Sequence, residues 1–260
     1  MDCLVFDIET VPDTELGRRL LHIDETLSDE DVAKAMAFNR LQQAGTEFLP
    51  LHQHRVVAIS AAMRSGDQLK VWSLGSADSD EAELIRRFYE GLERYVPVLV
   101  SWNGGGFDLP VLHYRALKNG VAAPQYWEIG DNDREFRFNN YLSRFHWRHV
   151  DLMDVLAGFQ PRARAKLDEI AVMLGYPGKL GLQGDQVWSV YLEGGIERIR
   201  EYCETDVLNT YLVFLRFEHM RGQLDDAQLQ AELDRVKDLL AGSQASHFTE
   251  FLAAWQAASA

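Results

Sequence analysis

Apolar positions along this chain repeat with two different periods, and the alternation between them sketches a fold. Residues 4–8 (LVFDI) form a short apolar run closed downstream by Pro12, the pattern of a buried central strand. Residues 56–62 and 69–74 are β-rich runs separated by Ser65-Gly66-Asp67, which predicts an antiparallel hairpin. Between Glu81 and Tyr95 the apolar residues Leu84, Ile85, Phe88 and Leu92 share one helical face, and residues 96–100 offer another buried strand. A second helix is predicted from Asp108 to Leu117, with Lys118-Asn119-Gly120 as its stop. Residues 120–149 show no clean period, whereas 151–158, 166–174, 185–218 and the stretch from Asp225 onward read as successive helical pieces. The expected class is α/β, with a central mixed sheet whose first strands are antiparallel and whose faces carry helices. Residues 13–50 interrupt this pattern with acids and scattered leucines, and read as a helical cover inserted after the first strand.

Length narrows the organisation. At 260 residues the chain can bury one large core, so we expect one domain over residues 1–220, including the insertion at about 13–50, with residues 221–260 as its C-terminal helical extension. No apolar run approaches the roughly 20 residues needed to span a bilayer, and the start MDCLVFDIET lacks a basic leader, so no membrane association and a cytoplasmic location are expected. Two cysteines, Cys3 and Cys203, argue against a disulfide framework and are expected to be packed thiols. The formal charge of −14 disfavours tight coating of duplexes, because phosphate backbones reward Lys and Arg. Local binding of a chain end remains open to an acidic protein whose carboxylates are neutralised by metal.

Four acids in three segments carry the candidate chemistry: Asp7 and Glu9, Asp108, and Asp206. Asp7 and Glu9 are two apart in a predicted strand and project to one side. Tyr202 and Asp206 are i and i+4 on a predicted helix, which places a phenol beside the fourth acid. Four carboxylates brought together without compensation would repel, and two divalent cations would cancel them. All-oxygen ligation favours Mg²⁺ or Mn²⁺ over Zn²⁺, and paired metals about 4 Å apart suit displacement at phosphorus. Each residue also has a plainer reading: Asp108 as a helix cap, Tyr202 as packing, Asp206 as a solvated acid. A dehalogenase-type hydrolase would need Asp at the position of Glu9, and no phosphate-cradling or dinucleotide-binding glycine pattern is present.

FDIET, Asn103-x-x-x-Phe107-Asp108 and Tyr202-x-x-x-Asp206 resemble, in order, the three motifs of the DEDD exonuclease superfamily in its tyrosine variant. The second motif most resembles the proofreading exonuclease of B-family DNA polymerases, and FDIETVPD resembles the predicted stand-alone exonucleases related to it. The resemblance implies a ribonuclease H-like fold and a metal-dependent 3′-to-5′ exonuclease that releases nucleoside 5′-monophosphates. Its partners would be single-stranded DNA or RNA 3′ ends, DNA being preferred only through the likeness to polymerases. Two Mg²⁺ or Mn²⁺ ions are implied, Asp7, Glu9 and Asp206 holding one and Asp7 and Asp108 meeting the other. Tyr202 would orient the attacking water, and Thr10, Asn103, Gly104, Gly105 and Phe107 would meet the terminal nucleotide. A non-catalytic module that binds nucleic-acid ends on the same fold is the alternative, and such a module commonly lacks one of the acids.

Arg134, Arg137, Arg144, His146, Arg148 and His149, interleaved with Phe136, Phe138, Tyr141, Phe145 and Trp147, form a candidate surface for single strands. Arg162, Arg164 and Lys166 form a second, smaller basic group. Asp151 and Asp154 are expected as helix-start acids rather than ligands.

Overall fold

The computed structural model describes residues 2–258. In chain order it runs β1 (Cys3–Pro12), α1 (Thr14–Leu21), α2 (Asp29–Ala44), β2 (His54–Ser65), β3 (Gln68–Ser73), α3 (Glu81–Tyr95), β4 (Val98–Ser101) and α4 (Asp108–Asn119). It continues with β5 (His149–Asp151), α5 (Leu152–Leu156), α6 (Leu167–Met173), α7 (Val187–Leu192), α8 (Ile196–Met220), α9 (Asp226–Ala241) and α10 (Ser246–Ala258). The strands lie in the order β3-β2-β1-β4-β5, with β1, β2 and β3 antiparallel and β1, β4 and β5 parallel. This mixed sheet between helical layers is the α/β, ribonuclease H-like arrangement expected.

Ser65 pairs with Gln68, so the hairpin closes through the two-residue loop Gly66-Asp67. Gly66 sits at φ +54°, a conformation that tight hairpin turns demand and that glycine adopts without strain. Asp80 caps α3 by accepting the Glu83 amide at 2.7 Å, and Leu84, Ile85, Phe88 and Leu92 are all buried on its inner face. Fully burying each such side chain is worth about 1.5–3 kcal/mol, which sets α3 firmly on the sheet.

Strand alternation decides what faces where. Leu4, Phe6 and Ile8 of β1 enter the core shared with α3 and α4, while Cys3 and Val5 enter the core shared with α8. Asp7 and Glu9 continue the second row. α8 is the buried helix of that layer, and Leu229, Val236, Phe251 and Trp255 of α9 and α10 join the same core as its Val207 and Leu212. Arg115 is buried across the other layer, its guanidinium bound by both Asp13 and Glu81.

One expectation changes. Residues 149–151 form β5, pairing with β4 from Leu99↔His149 to Ser101↔Asp151, whereas the sequence pattern offered only a helix start there. Three residues are too few to display a period, and the ladder with β4 alone defines this strand. The insertion is two helices with a small core of its own, Val32, Met36 and Leu49. Among the described residues no helix is long and apolar enough to cross a membrane.

Candidate active site

The pairing of β1 with β4 ends at Val5↔Val100, and β1 runs on alone on that side. The Ile8 amide is met there by Asp108, whose Oδ1 accepts it at 3.1 Å. Asp108 is therefore not a helix cap; Phe107 holds the cap position without a side-chain bond. From the α8 side, Tyr202 and Asp206 sit one turn apart and face the Asp7–Glu9 row. A carboxylate oxygen of Asp7, one of Glu9 and the Cys203 Sγ all lie within 4.8 Å of one another. Asp7, Asp108 and Asp206 line a cleft of about 630 Å³ together with Phe107, Lys166 and Lys179.

The loop before Asp108 is clasped from β5. Asp151 accepts the Asn103 and Gly105 amides at 2.9 Å each, and also receives the Asp154 amide at 3.3 Å as the cap of α5. Reading Asp151 as a helix-start acid captured only the last of these. Asn103 sits at φ +65°, a region Asn tolerates better than most residues. At Gly104 a Cβ would collide with the Ser101 side chain, so close backbone packing alone requires glycine there. Asn103 and Phe107 line the acid cleft; Gly104 and Gly105 do not, and Gly105 opens instead onto a smaller cavity beside His149. The Thr10 hydroxyl is bonded to His54 at 2.9 Å.

Lys179 had no signal in the sequence beyond its place in the glycine-rich run PGKLG. Its Nζ donates to the Tyr202 hydroxyl and lies 3.5 Å from Asp206 Oδ2. The strand of chain that presents it is anchored: the Lys179 amide donates to Asp168 Oδ1 at 2.7 Å, and Asn209 donates to the Gly178 carbonyl at 2.8 Å. Only the fold, which lays this loop over α8, reveals the contact.

Electrostatics mark the cluster as costly. Burial pushes Asp7 well above the usual carboxylate range, and the neighbouring Asp108, Glu9 and Asp206 push it further. Glu9 is raised by burial and then by Asp206. Burial raises Asp108 to about 7, although the Ile8 amide opposes the shift. Asp206 is raised by burial, an effect that Lys179 and the Tyr202 phenol offset. Burial and the surrounding acids drive the Tyr202 phenol far above its ordinary value, so it stays protonated. Burial likewise keeps the Cys203 thiol protonated and unreactive.

One buried oxygen, Asp206 Oδ1, has no hydrogen-bond partner. A buried carboxylate oxygen left unpaired beside three more raised acids fits a site built for a hard divalent cation, since oxygen donors in excess of local positive charge are what such ions take. Asp7, Glu9, Asp108 and Asp206 supply those donors.

Comparison with known proteins agrees with this geometry. A family model described as "Predicted 3'-5' exonuclease related to the exonuclease domain of PolB" matches residues 46–255. The chain belongs to this family. The match to the PolB-related exonucleases begins beyond Asp7 and Glu9, which the pairing of β1 with β2 sets in the sheet. Similar proteins include a DNA polymerase of Archaeoglobus fulgidus, 22% identical over 192 residues, covering 73% of this chain and 23% of that one. A DNA polymerase of Pyrococcus glycovorans is 27% identical over 212 residues, 75% of this chain and 26% of the polymerase. The chain thus spans about a quarter of the length of these curated relatives. A solved family B DNA polymerase of Pyrobaculum calidifontis aligns with all of this chain and 27% of its own, at 18% identity and a TM-score of 0.49.

The basic aromatic segment divides in two. Phe136 and Tyr141 are core, His149 is buried in β5, and Arg148 lies over the Phe136 ring at 4.0 Å, so these do not form a surface. Phe138 and Phe145 are exposed at 82% and 71%, and remain available. Arg144 and Arg164 are both paired with Asp154, whereas Lys166 lines the acid cleft.

Proposed function

We propose that this chain is a metal-dependent 3′-to-5′ exonuclease that removes terminal nucleotides from single-stranded nucleic acid as nucleoside 5′-monophosphates. The observation that carries the reading is the cluster of Asp7, Glu9, Asp108 and Asp206, raised together and faced, among the described residues, by Lys179 alone at hydrogen-bond or ion-pair range. Bound divalent cations, Mg²⁺ or Mn²⁺, would supply charge neutralisation and Lewis-acid polarisation of the phosphodiester. Asp7, Glu9 and Asp206 would hold one, and Asp7 and Asp108 the other. Tyr202 keeps its proton, so its task is to orient the attacking water by hydrogen bonding and not to remove a proton from it. Asn103 and Phe107 line the cleft where a terminal nucleotide would lie, Thr10 would meet that nucleotide from the end of β1, and Gly104 and Gly105 shape the loop behind it. A preference for DNA over RNA is proposed from the polymerase relatives.

A 5′-labelled single-stranded oligonucleotide, 3′-free or 3′-blocked, as DNA or RNA, tests this with Mg²⁺ and Mn²⁺ in turn. We expect stepwise shortening of the free DNA end and release of monophosphates. An untouched substrate, or equal degradation by Asp7→Ala protein, would overturn the reading. Binding without turnover under every metal condition would favour the non-catalytic alternative.

A further inference from the structure

Away from the acids, α3 leaves a groove along the edge of the sheet. β3 is the edge strand: it pairs with β2 on one side and, among the described residues, has no ladder on the other. Leu69 and Val71 turn to the core of α8, whereas Trp72 and Leu74, with Met63 of β2, turn to the side of α3. The groove between them and α3 encloses about 490 Å³, and none of its lining residues lines the acid cleft. Its floor is apolar and its rim is basic. Lys70, Arg87 and Arg94 stand there against one acid, Glu90, in a chain whose formal charge is −14. Arg87 is paired with Glu83 at 2.7 Å, but among the described residues Lys70 and Arg94 have no acid within ion-pair range. They lie instead over the rings of Trp72 and Tyr95, at 5.1 and 5.2 Å.

Gly91 makes the groove more than a gap. It stands inside α3 one turn after Arg87 and one turn before Tyr95, where glycine is the poorest helix former apart from proline. At Gly17 and Gly104 close packing within the chain requires glycine, but a Cβ built on Gly91 meets no atom within 4 Å, and its φ is not positive. Neither a turn nor internal packing accounts for it. A bare backbone at the middle of the groove wall is what an occupant lying close against α3 would need.

We propose that this groove docks an extended acidic segment of another protein, which adds to the open edge of β3, lays apolar side chains over Gly91 and sets carboxylates against Lys70 and Arg94. The inference concerns a partner and goes beyond the exonuclease reading, whose residues lie elsewhere. Continuing the ladder takes a peptide backbone, which nucleic acid lacks. Cations already cover one face of Trp72 and of Tyr95, and Met63 and Leu74 are aliphatic, so the floor suits a Leu- or Phe-like anchor better than a stack of bases. Pairing of two β3 edges would bring the groove cations of two copies of this chain together, like charge against like.

The test uses the full chain and a displayed library of random twelve-residue peptides. Panning on wild type, with Gly91→Leu protein as counter-selection, should enrich sequences in which Asp or Glu alternates with apolar residues. A fluorescein-labelled member should bind wild type in anisotropy titrations and lose about 10-fold or more in affinity with Gly91→Leu. Lys70→Glu and Arg94→Glu should each cost about 3- to 10-fold, less at high salt. Amides of β3 that face away from β2 should gain protection from hydrogen exchange in the complex. Gly91→Ala should raise the melting temperature by about 1–3 °C and Gly91→Leu should not lower it, so that lost binding is not lost fold. Enrichment of nothing, enrichment of basic sequences, or equal binding by Gly91→Leu overturns the proposal. A labelled single-stranded oligonucleotide that loses affinity with Gly91→Leu while no peptide does would reassign the groove to nucleic acid and overturn it. A dimer in sedimentation that Gly91→Leu abolishes overturns it in favour of a second copy. Hydrolysis of a trinucleotide should be unchanged in Gly91→Leu, so the proposal can fail without touching the exonuclease reading.

Discussion

The first strand feeds two clusters of buried charge, and they are built on opposite terms. Just beyond its end, Asp13 and Glu81 grip the fully buried Arg115, with Glu81 bidentate at 2.6 and 2.7 Å, so each carboxylate has a guanidinium partner. Asp13 is lowered overall: burial opposes ionisation, but the Leu16 amide and Arg115 outweigh it. Within the strand, Asp7 and Glu9 meet Asp108 and Asp206 with, among the described residues, only the partly exposed Lys179 against them, and all four acids are raised. Compensated charge at this depth is structural, and charge left in deficit points to chemistry. Both arrangements use the same residue types, so what separates them is the count of cations within reach.

Substitutions break this contrast in order of expected size. Asp7→Asn should reduce hydrolysis by a factor of 10³ or more in an end-labelled assay, since both proposed metal positions would share that residue. The same change should raise the melting temperature in EDTA, because a neutral amide relieves the repulsion. Arg115→Ala should do the reverse: it leaves Asp13 and Glu81 buried without a partner, at a cost of about 3–5 kcal/mol in urea unfolding. Were Arg115→Ala neutral and Asp7→Asn destabilising, the distinction between the clusters would collapse.

Smaller effects sharpen it. Lys179→Met should lower the melting temperature in EDTA by several degrees, and saturating Mg²⁺ should shrink that difference. Tyr202→Phe should slow hydrolysis by about 10- to 100-fold while calorimetric Mg²⁺ affinity stays unchanged, as expected for a group that orients water. The pH dependence has a definite sign. In the metal-free protein Asp108 titrates near 7 folded and near 3.8 unfolded, so the folded state binds more protons between those values and loses stability as pH rises through them. Asp108→Asn lacks this titration, and its stability advantage over wild type in EDTA should grow from pH 4 to pH 7. His113 and His149, both depressed by burial to about 4, contribute the opposite slope, losing stability as pH falls from about 6.5. Comparing wild type with Asp108→Asn at each pH removes that shared background.

Much of the frame was legible in the chain. The hairpin, α3, α4 and the helical character of α8 follow from periods of two and 3.6 sustained over enough residues, with glycines or caps at the ends. β5 was not legible, because three residues carry no period. The segment 134–149 misled in part: its spacing could not tell the core rings Phe136 and Tyr141 from the exposed Phe138 and Phe145.

By itself the sequence determined the four acids, the shared face of Asp7 and Glu9, and the one-turn spacing of Tyr202 and Asp206. These depend on local geometry, which travels with the residues. Only the tertiary structure decided that Asp108 binds the Ile8 amide, that Asp151 clasps the glycine loop, that Lys179 reaches Tyr202, and that the Phe48 ring meets the Phe107 ring. Each of those joins residues far apart in the chain. Which distant groups meet depends on how the sheet and its helices pack, and no local pattern encodes that.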